Sequence, residues 1–271
     1  MRSTLALTAC LASLLVAPRA RAEGAALQLS TTRITVGPRE RTAGITLSNQ
    51  SGEQQRYRVS VIDMVMDTDG NVSEVKDEKA PDRGASKWVI ATPATVHLAP
   101  GESQKIRLLI RRPGVLADGE YRAHLRVAQE PPADATGGLR EGTASGDGLS
   151  LKLTTVYAMT IPVFVEQGQT HSTASIAEAH VVENGKRVAL TLQREGNSAF
   201  RGFVQTTAEH ASAVFMPCVV YAELDAMKLA YDLGPLANVT GPLTLNLYTG
   251  SPPDPGGEPS IKALSSIRIL R

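Results

Sequence analysis

The chain has 271 residues, with 28 basic and 27 acidic side chains and a formal charge of +1. That balance supplies no global positive field to hold nucleic acid or an anionic membrane. At 42% hydrophobic residues, the chain can build one large core or two of ordinary size, which excludes a wholly disordered polymer.

The first segment, "MRSTLALTACLASLLVAPRARAEG", has a positive start at Arg2, an apolar run from Leu5 to Ala17 and a small-x-small site at Ala20-Arg21-Ala22. This is the pattern of a secretory signal peptide cleaved after Ala22. The run is shorter than the roughly 20 residues a spanning helix needs, so no membrane insertion is expected. A competing reading, a lipoprotein-type box at Leu7-Thr8-Ala9-Cys10, would cut the apolar run before its middle. Arg2, Arg19 and Arg21 leave with the signal, so 28 basic side chains become 25 against 27 acidic ones. Cys10 leaves too. Cys218 is then alone, with no internal disulfide, and its apolar setting "AVFMPCVVYAEL" predicts a buried, inert thiol.

Alternating runs follow in order: "ALQLSTTRITV", "RTAGITLSNQ", "QRYRVSVIDMVM", "VHLAP", "QKIRLLIRR" and "EYRAHLRVAQE". Turn residues separate them, among them Gly37-Pro38, Asp69-Gly70-Asn71 and Pro100-Gly101. "PPADATGGLREGTASGDG" then predicts a long loop over 131–148, and "LSLKLTTVYAMTIPVFVEQ" a strand. In that strand Leu149, Leu151 and Leu153 share one face; on pattern alone the row reads as half of a sandwich core. Tyr157, Met159 and Ile161 continue its parity and are expected to pack inside the same domain. After Gln167-Gly168-Gln169, a plausible hinge, the same texture resumes, with Asn184-Gly185 as a hairpin signal. "SIAEAHVVE" fits a helix or a strand. Short strands at this spacing predict an all-β protein of sandwiches, divided into residues 23–167 and 168–271.

No chemistry-bearing constellation appears. The five histidines are scattered without metal-ligand spacing, and the sequence holds no G-x-S-x-G elbow and no phosphate loop. The expectation is a protein that is not an enzyme and takes no cofactor and no metal. A hydrolase on a β-sandwich lacks residues to carry it. A secreted two-domain adhesion or ligand-binding module remains open as an alternative.

Four stretches together resemble the periplasmic chaperones of pilus and fimbria assembly. They are "LQLSTTRITVGP", "ITLSNQSGEQQRYRVSV", "KWVIATPATVHLAPGESQKIRLLI" and "DGEYRAHLRVAQEPP" followed by "VYAMTIPVFVEQG". The last is most similar to the divergent branch that builds archaic-type pili. The second half is similar more loosely, through "RVALTLQREGNSAFRGFV". The resemblance implies two immunoglobulin-like β-sandwich domains in a boomerang arrangement. It implies a periplasmic chaperone that binds pilin or fimbrial subunits by donor-strand complementation and delivers them to an outer-membrane usher. Leu149, Leu151 and Leu153 would be the lent side chains. Arg33 matches the family's first-strand arginine, which grips the subunit's terminal carboxylate together with a basic residue on the donor strand. The matching place for that second residue falls near Thr155, which is uncharged. Lys152, earlier on the strand, and Arg122, on the neighbouring strand, are the candidates to replace it.

Overall fold

The computed structural model describes residues 27–76, 81–131, 156–209, 211–254 and 257–270. The signal segment, most of the 131–148 loop, Leu149, Leu151, Leu153 and Lys152 lie outside them. The strands are β1 (Leu27–Leu29), β2 (Ile34–Val36), β3 (Thr42–Asn49), β4 (Gln55–Ile62), β5 (Met64–Met66), β6 (Val72–Glu74), β7 (Val89–Thr92), β8 (Thr95–Leu98), β9 (Ser103–Ile110), β10 (Gly119–Gln129) and β11 (Ala158–Gln167). They continue as β12 (Ser172–Val182), β13 (Arg187–Gly196), β14 (Phe200–Thr207), β15 (Val214–Val220), β16 (Ala226–Asp232), β17 (Leu243–Thr249) and β18 (Ser265–Ile269).

The first sandwich packs the sheet β1-β3-β9-β7 on the sheet β2-β11-β10-β4-β8. The period of two in the sequence sets which face is inside. In β9, Ile106, Leu108 and Ile110 are buried while Lys105 and Arg107 face water. In β11, Ile161, Val163 and Val165 enter the core. Two of the sequence motifs explain themselves as one lock. Buried Asn49 donates from Nδ2 to the carbonyls of Glu53 (2.7 Å) and Leu98 (3.1 Å), and its Oδ1 accepts from the Ser51 amide (3.0 Å). Its backbone exchanges bonds with the Pro-Gly-Glu turn, Asn49 N to Glu102 O at 3.0 Å and Gly101 N to Asn49 O at 2.9 Å. A buried asparagine is tolerated because its amide is satisfied. Tyr121 closes the corner before β10, its hydroxyl donating to the Ala117 carbonyl at 3.1 Å, the tyrosine-corner device of immunoglobulin-like sandwiches.

The second sandwich packs β12-β13-β16 on β15-β14-β17-β18. "SIAEAHVVE" lies in β12 and is strand, not helix. The Asn184-Gly185 signal is a tight 3-10 turn at Glu183–Gly185 joining β12 and β13. The second core runs from Ala174 to Ile269 and takes in one residue from far earlier, Met66. The β5–β6 hairpin carries it there. Lys228 N on the edge strand β16 donates to Thr68 O at 2.6 Å, and Met66 N donates to the Glu223 carboxylate at 3.1 Å.

Candidate functional site: an open strand edge beside a domain junction

The edge arises from how the first strand is laid out. β1 pairs with β3 in one sheet; after the polar break Ser30-Thr31-Thr32-Arg33 the chain crosses to the other sheet, where β2 pairs in parallel with β11 at Val163↔Ile34 to Val165↔Val36. β2 begins too late to cover the start of β11. On its other side β11 is fully paired with β10, from Ala158↔Ala128 to Gln167↔Gly119. Gln129 N donates to Tyr157 O at 2.8 Å, so the odd residues of β11 bond to β10 and the even ones point away. Ala158 and Thr160 therefore present N–H and C=O to a side where no strand among the described residues sits. Pro162, which has no N–H to offer, falls on that same side, as strand prolines do at sheet edges.

Arg33 stands at this edge. Its side chain is exposed, and among the described residues its guanidinium has no hydrogen bond or ion pair. The Thr31 hydroxyl donates to Arg33 O at 2.8 Å and fixes the backbone there. Continuing the β2–β11 register by one step sets Arg33 beside Pro162 on the face turned away from the core. Tyr157 differs from the sequence expectation: it is 61% exposed and does not enter the core, whereas Met159 and Ile161 pack on it. The reason is that Tyr157 lies just before β11, where its carbonyl alone is held, by Gln129 N.

The outer face of β10 explains where Arg122 goes. Gly119 to Leu125 are buried on both faces, since the outer face meets the second sandwich. Arg122 is 6% exposed, its Nη2 donating to Glu223 Oε1 at 2.5 Å and to Met64 O at 2.8 Å, with its guanidinium 3.5 Å from the Tyr221 ring centre. Its positive charge is already matched by Glu223, unlike that of Arg33. Beside it, Glu120 pairs with Arg201 at 2.8 Å, and Arg201 stacks 4.1 Å from Phe164. Burial pushes the Glu120 carboxyl up from its ordinary range, while Arg201 pulls it down. His124 is buried; desolvation first, and the Arg122 charge second, push its imidazole down to about 4, so it is neutral. At Gly119, φ +144°, the second domain comes close to the backbone: a Cβ there would lie 2.7 Å from the Asn197 carbonyl.

Of the residues singled out from the sequence, the structure brings Arg33 to the open edge and Arg122 to the junction; the other four lie outside the described residues. Sequence reasoning missed Glu120, Phe164, Arg201, Tyr221 and Glu223, which meet only when two domains do. A polar break within the first strand and a proline in the last were the available signals for the edge. Cys218 is buried and its thiol is pushed up to about 12 by desolvation, so it stays protonated. Among the described residues no group of three or more His, Cys, Asp or Glu side chains could hold a metal ion.

Two immunoglobulin-like sandwiches, joined through a packed polar junction and leaving one side of the start of β11 uncovered, define a two-domain all-β protein with an open strand edge. The chain belongs to the family of pili and flagellar-assembly chaperones, whose PapD N-terminal domain model matches residues 26–166. It is a pilus assembly chaperone of a family that works in the periplasm. The solved YadV chaperone is similar in fold, at 11% identity and a TM-score of 0.51, over 90% of this chain and all of the other. The Escherichia coli chaperone DraB shares 14% identity at a TM-score of 0.44, over 90% and 98% of the two chains. The CsuC–CsuE chaperone–tip adhesion subunit complex of Acinetobacter baumannii shares 17% at 0.45, over 76% and 91%. No curated protein matches the chain in sequence.

Proposed function

We propose that this chaperone captures pilus subunits by donor-strand complementation and delivers them to an outer-membrane usher, after export and cleavage of its leader behind Ala22. The observation that carries the reading is the uncovered edge of β11 at Ala158–Pro162, which continues in sequence directly from Leu149, Leu151 and Leu153. A subunit sandwich lacking one strand gains from that edge a hydrogen-bonded ladder, and the leucine row fills its open core. Strand addition of this kind takes affinity from main-chain bonds and specificity from alternate side chains. The row has the parity of Ile161 and Val163, so a continued strand turns it toward the side on which the chaperone's own core lies. Arg33, exposed and unpaired at the same edge, is suited to a bidentate grip on a subunit's terminal carboxylate. Arg122 or Lys152 is the proposed second basic partner, with Arg122 the more constrained because it already serves Glu223.

The test is Leu151→Asp with Leu153→Asp. The double variant is expected to unfold at the same temperature as the unaltered chain and to lose subunit capture. Two buried leucines are worth about 3–6 kcal/mol, so affinity falls by roughly a hundredfold or more. Capture at unchanged affinity would exclude strand lending through this face. Loss of folding would return the row to the chain's own core.

A further inference from the structure

The end of the first sandwich nearest the hinge carries a feature that strand lending does not use. Arg39, Arg41, Arg111 and Arg112, with Pro38, Leu109 and Ile110, line a concave pocket of about 550 Å³. Arg39, Arg41 and Arg111 are exposed and form no ion pair among the described residues. Arg112 is built into the wall. Its Nη2 donates to Gly37 O at 2.7 Å and Glu166 O at 3.0 Å, its Nη1 to Glu40 O at 2.5 Å, and its buried Nε has no partner. Among the described residues the acid that acts on Arg112 is Glu40, held by the Gly37 amide at 2.8 Å. Four arginines thus line the pocket beside one tethered carboxylate. The crowding is felt: burial first, and the Arg41 charge second, push the Arg112 guanidinium down. An anion entering the pocket relieves that repulsion, and arginine forks match carboxylate geometry.

We propose that this pocket docks an acidic segment of a second protein partner while a subunit occupies the open edge of β11, an inference that rests on the capture reading above. The two places are compatible. Arg112 touches β11 at Glu166, six residues from Thr160, about 20 Å away at strand spacing. An anionic membrane surface fits less well. The arginines line a concavity, and the neighbouring loop offers one protruding apolar side chain, Val115 at 96% exposure, with no aromatic beside it.

The test uses the full chain with fluorescein-labelled octaglutamate in fluorescence polarisation at about 50 mM salt, where surface charges are weakly screened. Octaglutamate is expected to bind and octaglutamine not to. R39E/R111E should bind at least about tenfold more weakly, since like charges then meet across the contact. K262E/R268E, an equal charge change on exposed residues of the second sandwich, should bind as the unaltered chain does. R39Q/R111Q, the milder change, covers the case in which the reversal disturbs folding. Equal binding by both arginine variants, or equal loss in K262E/R268E, overturns the proposal. So does arginine-dependent sedimentation with phosphatidylglycerol vesicles in place of peptide binding. Subunit capture, measured in parallel, should survive R39E/R111E. A chain that binds octaglutamate but captures no subunit refutes strand lending and leaves the pocket standing.

Discussion

Two residues on the same outward face of the first domain's larger sheet meet opposite fates, and both have measurable consequences. The Arg33 guanidinium has no hydrogen bond or ion pair among the described residues, so folding gains little from it. A charged hydrogen bond to a subunit carboxylate is worth about 1.5–3 kcal/mol. Arg33→Ala is expected to weaken capture of free-carboxylate subunits by that amount at an unchanged melting temperature; equal capture of amidated and free-carboxylate subunits by the unaltered chain removes the reason for the grip. His124 is the reverse case, buried and without a role at the edge. Its folded value near 4 lies below its ordinary 6.5, because desolvation and Arg122 disfavour the imidazolium. The folded state therefore binds fewer protons than the unfolded one between those values. The stability is present above about 6.5 and is lost as pH falls toward 4. From pH 7 to pH 5 urea titration should show a loss of about 2 kcal/mol from this group. His124→Phe, which cannot titrate, should flatten that slope, and an identical slope in the variant assigns the loss to other groups.

Among the elements, the β5–β6 hairpin does what no strand pattern announces. It leaves the first sandwich after Ile62, runs to the second, and buries Met66 in that core while its Thr68 carbonyl takes the Lys228 amide of the edge strand β16. Covering part of an edge also protects it from pairing with another chain. Truncating a buried methionine costs about 2–5 kcal/mol. Met66→Ala is expected to destabilise the second sandwich more than the first, although Met66 lies among the first domain's residues. The single tryptophan, Trp88, packs 5.0 Å from Tyr121 and reports on the first sandwich alone. Its fluorescence midpoint in urea should fall less than the far-UV dichroism midpoint; a larger fall at Trp88 would mean that the hairpin stabilises only its own domain, and equal falls that the two sandwiches unfold as one unit. The strands themselves were legible because alternation and turn chemistry are local. The Asn49 lock was legible only as two separate turn signals, "SNQSGE" and "PGE", because its bonds join residues about fifty apart. The hairpin's destination was not, since "MVMDTDGNVSE" reads as any hairpin and nothing in it names the surface it meets. Arg122's partner was hidden for a related reason: a charged residue in an alternating strand reads as solvated or as a ligand, and Glu223, about a hundred residues later, cannot be matched to it by spacing.

At the scale of the whole molecule, backbone hydrogen bonds are distributed unevenly over two neighbouring strands. The leading segment of the first domain divides itself between two sheets, and the junction with the second sandwich covers the outer face of β10 at Gly119–Leu125 but stops short of the start of β11. Doubly paired and singly paired backbone thus lie on adjacent strands. Leu125 and Val127 sit in a strand paired on both sides, with β11 and β4, whereas the Ala158 and Thr160 amides point to the uncovered side. Opening free energies within one protein run from about 0 kcal/mol at such sites to the global value in the core. Hydrogen-exchange mass spectrometry of the free chain should therefore find fast exchange at Ala158 and Thr160 and slow exchange at Leu125 and Val127. Adding a subunit should slow Ala158 and Thr160 markedly, and slow residues 149–153 with them, because a ladder then forms along that side. Leu125 and Val127 should change little, as their bonds are already made. A subunit that binds yet leaves 149–160 exchanging as before has docked elsewhere, and the chaperone then works on its subunits through a different surface.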